Sequence, residues 1–377
     1  MKTNWPTKKL GEICTIKTGK RDANHGNPEG KYHFFTCAEN HSYIDDYSFD
    51  TEAILIAGNG DVGAAKYFKG KFDAYQRTYV LHNFSTEVEV QFLFLFIDSF
   101  LNPAAQKAKQ GGTMPYIKLG LLVNFEIPLP PLDEQKKIVK ALEEKLEKVK
   151  EAIQLRQDAI ADTEKILSAK LTEIFTEGKE KGWEEKTIDQ LCEVARGGSP
   201  RPIKDYLTED QDAINWVKIS DASDSDRYIY KTKQKIKLEG RNKTRLVKSG
   251  DLLLTNSMSF GRPYIMKTGG AIHDGWLLLS PREKVASEYL YYFLSSPDLY
   301  RQFKNLAGGA VVQNLNSQLV RGVKITLPDY QTQEKIVEEL DALSARVAEL
   351  RALQETQLAD LKSLERAYLH EAFNGKL

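Results

Sequence analysis

Two long segments of the chain space their apolar residues as a coiled-coil helix does. The first follows Pro130-Pro131, and its main seam repeats every seventh residue, at Val139, Leu146, Ile153, Ile160, Leu167 and Ile174. A flanking set of seam positions starts apolar and then turns polar, at Leu142, Val149, Arg156, Thr163 and Lys170. A heptad repeat of this length predicts a long helix that packs along one face against a second helix. We expect Asp133 to cap its start and Gly178 to end it.

The second segment begins after Pro328-Asp329. Its apolar residues alternate in steps of four and three, at Ile336, Leu340, Leu343, Val347, Leu350, Leu361, Leu364 and Tyr368. Gln354 and Gln357 interrupt this seam, and Gly375 is predicted to end the helix. Two antiparallel helices of roughly 45 residues would form a rod of some 65 Å. Because one helix follows each globular part, we predict a coiled-coil spacer; the alternative is a structural hairpin inside one globule.

The segments between these helices alternate short apolar runs with turns rich in Gly, Asn and Asp. Five runs are predicted to be strands, at residues 53–57, 78–81, 214–219, 251–255 and 276–279. Residues 90–100 and 287–294 instead carry helical patterns. Each globular part is therefore predicted to be an α+β domain built on an irregular sheet.

The chain carries most of these features twice. Trp5-x-x-Lys8-x-Leu10 returns 178 residues later as Trp183-x-x-Lys186-x-Ile188. Ile54-Leu55-Ile56 returns 198 residues later as Leu252-Leu253-Leu254. A period of this size is too long for a solenoid unit and predicts two homologous modules with pseudo-two-fold symmetry, suited to a target with two similar halves. We place module 1 at residues 1–132, the first long helix at 133–178, module 2 at 179–328 and the second long helix at 329–377.

Composition limits the class of protein. With 377 residues, 41% of them hydrophobic and 28% charged, the chain has the composition of a globular protein with two or more domains. No apolar run approaches the roughly 20 residues of a membrane span, and the first residues lack the apolar stretch of a signal peptide. Cys14, Cys37 and Cys192 show no metal-binding spacing. We therefore predict a cytoplasmic protein with reduced cysteines and no membrane partner.

The formal net charge is zero, but the charge is unevenly distributed. The helical segments are acidic, with 10 Lys+Arg against 12 Asp+Glu in residues 133–180 and 6 against 10 in residues 329–377. Residues 1–132 balance at 14 and 14, whereas residues 181–328 hold 23 against 17, a net of +6. Module 2 is thus predicted to present a surface suited to phosphate groups.

Sequence motifs for catalysis are missing. The sequence contains no Walker phosphate loop, no Asp/Asn-Pro-Pro-aromatic motif of amino methyltransferases and no glycine-rich cofactor fingerprint after a strand. Gly58-Asn59-Gly60 with Gly63 is more typical of a tight turn after a strand. His25, His33 and His41 are spaced by eight residues, which fits no compact metal site. We therefore expect a recognition protein with no catalytic residues, metal or cofactor of its own.

The basic segment at residues 227–248 is the strongest recognition signal, with nine Lys/Arg and one acidic residue. Lys231, Lys233, Lys235 and Lys237 alternate, so on a strand they would share one face. One interpretation is a strand that follows a phosphate backbone. The alternative is a sheet edge that lysines protect from aggregation.

Arginine, lysine and amide side chains also cluster in predicted loops at matched places in both copies. Arginine pairs with guanine, and asparagine or glutamine with adenine, through two hydrogen bonds in the major groove of DNA. Any one such residue is more often a turn residue than a base reader, but their concentration in both copies favours DNA contact. The candidate DNA-binding residues are Lys20, Arg21, Asn24, Asn27, Asn59, Arg77, Arg196, Ser199, Arg201, Lys218, Lys231, Lys233, Lys235, Asn256, Arg262, Gln313, Asn314 and Asn316.

These elements, in this order, resemble the specificity (S) subunit of Type I restriction-modification systems over the whole chain. The matching stretches are Trp5/Trp183 with Leu10/Ile188, residues 214–221 (INWVKISD), residues 250–254 (GDLLL), Gln313-Asn314-Leu315, the helix start at 130–138 (PPLDEQKKI) and Phe373-Asn374-Gly375. Module 1 departs from this pattern at residues 31–36 (KYHFFT) and at Pro115-Tyr116-Ile117. The second helix start lacks the glutamate before Gln333.

The resemblance implies two target recognition domains, each of which contacts one half of a split double-stranded DNA sequence. The long helices would space these domains and dock two modification (methyltransferase) subunits. Those subunits would hold S-adenosylmethionine and methylate adenine, while restriction (translocase/endonuclease) subunits would use ATP and Mg. The chain itself would be non-catalytic and hold no cofactor.

Two other functions compete with this one. A methyltransferase acting alone would need a cofactor loop that the sequence lacks. A two-headed coiled-coil scaffold that binds proteins without touching DNA is opposed by the basic segment and the amide-rich loops.

Overall fold

The computed structural model describes residues 5–108, 116–222, 227–256, 261–306 and 315–376. The chain divides into two compact units, Met1–Asp158 with Glu355–Leu377 (unit 1) and Ala159–Gln354 (unit 2). Each unit thus combines one module with part of each long helix, so the division cuts both helices near their middles. The helices that the structure describes are all too short or too polar to cross a membrane.

Unit 1 is built around a six-stranded sheet. Its strands are β1 (Thr7–Lys9), β2 (Thr15–Thr18), β3 (Tyr32–Phe35), β4 (Ser42–Ile44), β5 (Phe49–Ala57), β6 (Ala65–Ala74), β7 (Thr78–His82) and β8 (Glu126–Pro128). Its helices are α1 (Leu10–Ile13), α2 (Val90–Ala108), α3 (Leu119–Val123), the first part of α4 (Leu132–Glu180) and residues 355–372 of the second long helix. The sheet runs in the order β2-β7-β5-β6-β3-β4, and β1 pairs with β8 in a separate ribbon. Only the β3–β6 pair of this sheet is parallel among the described strands.

Strand β5 forms the centre of the unit 1 core because both of its faces are buried. Ile54 and Ile56 pack towards α2 and the start of α4, whereas Ala53 and Leu55 pack against Phe72 on the other side. A strand that is covered on both faces has a continuous apolar sequence, which explains why this segment was predicted from sequence. The predicted helix at 90–100 is present as α2 and continues to Ala108.

Unit 2 contains two five-stranded sheets. Its strands are β9 (Glu184–Thr187), β10 (Cys192–Arg196), β11 (Leu207–Thr208), β12 (Ile214–Val217), β13 (Tyr228–Ile229), β14 (Gln234–Ile236), β15 (Arg245–Val247), β16 (Leu252–Thr255), β17 (Pro263–Met266), β18 (Gly270–Ile272), β19 (Trp276–Pro281) and β20 (Lys324–Leu327). Its helices are the last part of α4, α5 (Ile188–Leu191), α6 (Ser287–Leu294), α7 (Pro297–Leu306), α8 (Ser317–Arg321) and the first part of α9 (Tyr330–Ala372). One sheet has the order β10-β19-β16-β17-β13 and the other β11-β14-β12-β18-β15.

One predicted strand of module 2 is shorter than expected. The run at 214–219 ends as a strand at Val217 and continues as a 3₁₀ helix at Ile219–Asp221. The reason is local, because an Asp221 carboxylate oxygen accepts the backbone N–H of Lys218 at 2.8 Å and so closes a capping turn. The mixed α+β class, the duplicated domains and the two long helices predicted from the sequence are confirmed.

The starts and ends of the long helices correct part of the prediction. Asp329 caps α9, since its carboxylate accepts the backbone N–H of Thr332 at 3.0 Å. Asp133 lies instead in the first turn of α4, where a carboxylate still favours the positive end of the helix dipole. The prediction that Gly178 ends the first helix is wrong: α4 continues to Glu180, and Gly182 has the left-handed φ of +74°. Gly178 is required because a Cβ there would lie 2.2 Å from the Trp183 ring.

Within each unit the two long helices run antiparallel. Of the predicted seam residues, Leu146 and Ile336 are buried, whereas Leu350 and Leu364 are 40% and 39% exposed. In unit 1, Lys145 lies 4.9 Å from the Tyr368 ring, and Leu142 and Leu146 are buried in the same cluster as Phe373. In unit 2, Lys170 pairs with Glu339 at 3.0 Å, and Glu164 pairs with Arg351 at 3.2 Å. Residues later in α4 thus pair with residues earlier in α9, as antiparallel packing requires.

The polar seam positions of unit 2 form a buried hydrogen-bonded layer. The Thr163 hydroxyl lies 3.0 Å from Gln354 Oε1 and 2.8 Å from the Ala159 carbonyl, and both side chains are buried. A polar pair inside an apolar seam costs stability but fixes which residues of two helices face each other. The interruption at Gln354 in the sequence pattern is therefore a register-setting contact.

Replacing Thr163 by Val is expected to lower the free energy of unfolding by about 1–3 kcal/mol, because the buried Gln354 Oε1 then loses the hydroxyl that bonds to it. The double substitution Thr163→Val with Gln354→Leu should be nearly neutral. Denaturant unfolding measures both, and Thr172→Val on the outer face of α4 is the matched control. A double variant as unstable as Thr163→Val alone would show that the pair does not act as a unit.

Candidate nucleic-acid interface

Equivalent loops meet at one end of each module. In module 1 the Gly58 N–H donates to the Arg77 carbonyl at 3.0 Å, and Ile117 N–H donates to the Gly58 carbonyl at 3.0 Å. In module 2 the Asn256 N–H donates to the Gly275 carbonyl at 3.0 Å, and Leu315 N–H donates to the Asn256 carbonyl at 2.8 Å. Each residue of the second set lies 198 positions after its counterpart. In each module, the turn after the central strand (β5 or β16) is thus hydrogen-bonded to the next turn and to the segment before a short helix.

A fourth segment joins these loops through a glycine. Gly19 donates its N–H to the Thr78 carbonyl at 3.3 Å, and Gly197 donates to the Trp276 carbonyl at 2.9 Å. A Cβ on Gly19 would lie 1.8 Å from the Ala74 carbonyl oxygen, and one on Gly197 would lie 2.1 Å from that of His273. Only glycine permits this close approach of two backbones, which places the residues after β2 and β10 beside the other loops.

The structure brings ten of the predicted DNA-binding residues to these loops. We call the module 1 group loop cluster 1; it contains Lys20, Arg21, Asn59 and Arg77. The module 2 group is loop cluster 2; it contains Arg196, Ser199, Arg201, Asn256, Arg262 and Asn316. Gln313 and Asn314 lie outside the described residues.

Loop cluster 2 is organised by Asp274, which is not among the candidate DNA-binding residues predicted from the sequence. The Asp274 carboxylate accepts hydrogen bonds from Ser199 Oγ at 2.8 Å and from Arg201 Nη2 at 3.3 Å. Its backbone carbonyl accepts from Arg196 Nε at 3.1 Å and from Asn256 Nδ2 at 2.8 Å. Four predicted residues from two distant segments therefore meet at one aspartate. The hydrogen bond from Ser199 holds the pKa of the Asp274 carboxyl below its usual value, so the group is ionised at neutral pH.

His273, next to Asp274, supports the same turn as a neutral ring. Burial lowers the pKa of His273. Its Nδ1 accepts the N–H of Gly275 at 2.6 Å, which closes the turn that leads into β19. The candidate Lys218 lies beside this ring and contributes to lowering the pKa. A His-Asp-Gly sequence directly before a buried strand is the signal by which this turn could have been predicted.

Loop cluster 1 contains a similar arrangement around Asp73. This carboxylate is fully buried and accepts from Arg21 Nε at 3.2 Å, Ser48 Oγ at 2.8 Å and the Ala74 N–H at 2.7 Å. The Arg21 side chain remains 40% exposed. The buried carboxylate of Asp73 therefore binds the side chain of the partly exposed Arg21.

Several predicted amide residues have structural hydrogen bonds. Asn316 is the N-cap of α8, where its side chain accepts the Leu319 N–H at 2.9 Å. Asn27 donates to the Asp45 carboxylate at 3.1 Å and accepts the Glu29 N–H at 3.0 Å. Asn24 lies exposed in the 3₁₀ helix Ala23–His25. The Asn316 and Asn27 side chains thus serve as cap and turn residues, and the role of all three residues in DNA binding stays a prediction.

The predicted lysine face at residues 231–237 is wrong as a structural element. Only Lys235 lies in a strand, because β14 is limited to Gln234–Ile236. That strand lies between β11 and β12, so it is not the sheet edge of the alternative interpretation. Lys235 and Lys237 donate to the carbonyls of Gln211 and Asp205, each at 2.7 Å. Lys231 and Lys233 are exposed before the strand.

The three evenly spaced histidines of module 1, His25, His33 and His41, take part in local contacts. The His33 and His41 rings lie 4.5 Å apart among Phe35, Tyr43 and Phe68. His25 Nδ1 accepts the backbone N–H of Asp22 at 3.0 Å. Their regular spacing in the sequence therefore reflects an aromatic cluster and a turn.

Comparison with known proteins identifies the family. The model of the Type I restriction modification DNA specificity domain matches residues 2–157 and again residues 180–359. The Type I restriction enzyme EcoDI specificity subunit of Escherichia coli is 26% identical over 99% of this chain and 89% of its own length. The MjaIX specificity subunit of Methanocaldococcus jannaschii is 29% identical over 41% of this chain and 36% of its own.

Solved structures share the fold. A chain from work on complex assembly and conformational transition of the type I R-M system has a TM-score of 0.77 at 23% identity and covers 99% of this chain and 98% of its own. The HsdS subunit from Thermoanaerobacter tengcongensis has a TM-score of 0.56 at 23% identity, covering 100% and 98%. With the repeated family match over most of its length, the chain belongs to the Type I restriction-modification specificity subunits, whose general role is recognition of a DNA target.

Proposed function

We propose that the chain binds a bipartite double-stranded DNA target, with loop cluster 1 on one half-site and loop cluster 2 on the other. The duplication of the loop arrangement carries this proposal. The same backbone hydrogen bonds recur in both modules, while the side chains at equivalent positions differ, as at Gly58 and Asn256 or Arg77 and Gly275. One scaffold with two sets of side chains suits two half-sites of different sequence, because base edges are distinguished by side-chain chemistry.

The proposal is tested by selecting duplexes from a randomised library with the chain purified together with its modification subunits. The expected result is two short blocks of preferred bases separated by a constant gap. Enrichment of one continuous block would contradict one domain per half-site. If no duplex is retained at low salt, the alternative of a protein-binding scaffold without DNA contact is favoured.

We further propose that the long helices dock two modification subunits, and that the chain contributes no catalytic group to the complex. S-adenosylmethionine would then be held by the modification subunits, and ATP and Mg by the restriction subunits. Exposed leucines on the helices of each unit support docking, since Leu155 in unit 1 is 70% exposed and Leu353 in unit 2 is 55% exposed. A contiguous apolar patch on a surface is typical of an interaction site, and Leu155 lines one surface depression together with Leu361 and Leu364.

Light scattering of the co-expressed complex is expected to give a mass of one chain with two modification subunits. The physical reason is that each long helix follows an equivalent module and offers an equivalent surface. A stable complex with a single modification subunit, at saturating concentration of that subunit, would contradict two docking sites.

Lys231→Gln with Lys233→Gln is expected to lower affinity for all DNA sequences alike and to flatten its salt dependence. Each lost phosphate contact reduces the slope of log K against log salt by about 0.9. Lys235→Gln with Lys237→Gln is the matched control and should change the slope less, because those ammonium groups bind local carbonyls. Equal slopes for both pairs and the unchanged chain would exclude this segment from the DNA interface.

A further inference from the structure

Both modules hold an arginine of the same segment with the same chemistry. In module 1 the acceptor is Asp73, which binds Arg21 and a serine, Ser48. In module 2 it is Asp274, which binds Arg201 and a serine, Ser199. The two arginines follow Gly19 and Gly197, the glycines that bring their segments against the neighbouring turn.

The two aspartates are not repeat counterparts of each other. Asp73 lies in β6, whereas Asp274 lies in the turn after β18. Gln76, 198 residues before Asp274, donates instead to Asp22 at 3.4 Å. The two modules thus make the same Asp–Arg contact with aspartates at non-equivalent positions of the repeat. A single residue retained from before the duplication does not explain both contacts.

The exposed fractions of the two arginine side chains indicate the effect of these Asp–Arg contacts. Arg21 is 40% exposed above a fully buried carboxylate, and Arg201 is 79% exposed above one that is 43% exposed. Guanidinium recognition of a base requires its planar fork in a defined orientation. An acid that binds one guanidinium nitrogen limits the rotamers of the arginine while the rest of the fork stays at the surface. The arginine also neutralises the acid, which would otherwise repel DNA phosphates.

We propose that Asp73 and Asp274 are positioning residues, one in each module, that orient Arg21 and Arg201 for base recognition in their half-sites. The proposal rests on the proposed function of the loop clusters. It assigns sequence preference in each half-site partly to an acidic residue that acts through an arginine.

Asp274→Ala provides the sharper test, because it removes only side-chain contacts. The Arg196 and Asn256 side chains bind the backbone carbonyl of this residue, and every substitution retains that group. Ser199 and Arg201 lose their acceptor. Asp274→Asn keeps an acceptor for Ser199 but loses the charge that holds Arg201.

The experiment selects targets from randomised duplexes with the full chain in complex with its modification subunits. Asp274→Ala should relax base preference in one half-site, by on the order of tenfold at the affected position, and leave the other half-site and the gap unchanged. Asp274→Asn should relax the same position. Glu209→Ala, which removes an exposed acid of the same module, is the charge-matched control and should leave the preference unchanged.

A double-mutant cycle tests whether Asp274 affects base preference through Arg201. If Asp274 acts through Arg201, Asp274→Ala should add little to the loss of preference caused by Arg201→Ala. In module 1, Asp73 is buried and its removal endangers folding, so Arg21→Ala is used, and it should relax the opposite half-site.

Three results would overturn the proposal: an unchanged target for Asp274→Ala, relaxation of both half-sites by this variant, or full additivity with Arg201→Ala. Failure of the proposed function is distinguishable, because the unsubstituted chain would then select no bipartite target.

Discussion

Phe373→Ala is expected to lower the free energy of unfolding of unit 1 by about 3–5 kcal/mol, the usual cost of removing a buried phenylalanine. Phe373 is completely buried, and its ring contacts Phe92, Phe96 and Phe100 with centroid distances of 5.2, 5.2 and 5.7 Å. These three rings belong to α2, which packs against the central sheet. A residue four positions from the end of the chain thus completes the core of the first module.

Hydrogen exchange followed by mass spectrometry measures this effect separately in each unit. Amides of β5 and α2 should exchange faster in Phe373→Ala, while those of β16 and α6 should not change. Phe175, 198 residues earlier, is the matched control: it packs against Tyr289 and Phe293 in unit 2. Phe175→Ala should produce the reverse pattern. Equal protection of α2 in Phe373→Ala and the unchanged chain would contradict this account of the core.

Gln135→Leu is expected to cost about 2–3 kcal/mol, although leucine has a similar volume. Gln135 is fully buried and satisfies three backbone groups at 2.8 Å each: it accepts the Glu89 N–H and donates to the carbonyls of Glu87 and Pro130. Leucine would remove all three hydrogen bonds and leave the Pro130 carbonyl, whose bond is buried, without this partner. The cost of a buried unpaired group exceeds that of a lost exposed contact. The substitution therefore weakens the hydrogen bonding between module 1 and the start of α4.

Denaturant unfolding of Gln135→Leu and of the exposed neighbour Lys136→Leu gives the comparison, and the neighbour should stay within about 0.5 kcal/mol of the unchanged chain. Gln333 makes the equivalent join in unit 2, with the Ala286 N–H at 3.1 Å and the Pro328 carbonyl at 2.9 Å. Gln333→Leu should therefore also be destabilising. Equal stabilities for Gln135→Leu and Lys136→Leu would refute the role of the amide.

The hydrogen bonds of Gln135 give the physical reason for the glutamine in residues 130–138, one of the sequence stretches that resemble the family. In residues 130–138 the glutamine lies one turn after Pro130, so its side chain reaches back to the carbonyl of that proline. Gln333 reaches Pro328 in the same way. The glutamate that precedes the glutamine only in the first copy is exposed at Glu134, which is consistent with its absence before Gln333.

Patterns that depend on burial were predictable from the sequence. The heptad seams predicted α4 and α9, because burial along one helix face requires a regular spacing of apolar residues. The fully apolar runs gave the central strands β5 and β16, which are buried on both faces. The tight turn predicted at Gly58-Asn59-Gly60 with Gly63 is consistent with the positive φ values of 61° at Gly60 and 88° at Gly63.

Contacts between distant loops were not predictable. Asp274 is one acidic residue among many, and its contacts with Ser199 and Arg201 depend on the approach of two segments more than 70 residues apart. The alternation of lysines at 231–237 was misleading for a related reason. Strand β14 is short, and Lys235 and Lys237 bind carbonyls of the 205–211 segment, which periodicity along the chain does not report.

The seam itself predicts how the target responds to a change in helix length. One heptad inserted between Asp158 and Ala159 and another between Gln354 and Glu355 would leave the internal contacts of each unit intact, because these are the unit boundaries. Seven residues add roughly 10 Å to a helix, which corresponds to about three base pairs at 3.4 Å each. Three base pairs also rotate the DNA by roughly 100°, since a turn takes about 10.5 pairs, so activity should fall.

Sequencing the sites methylated by the complex, with the unchanged and the lengthened chain, tests one domain per half-site most directly. The unchanged chain should give two blocks of fixed bases with a constant gap. The lengthened chain should give the same two blocks with a gap longer by two or three base pairs. Methylation by the lengthened chain at the original gap would contradict the account.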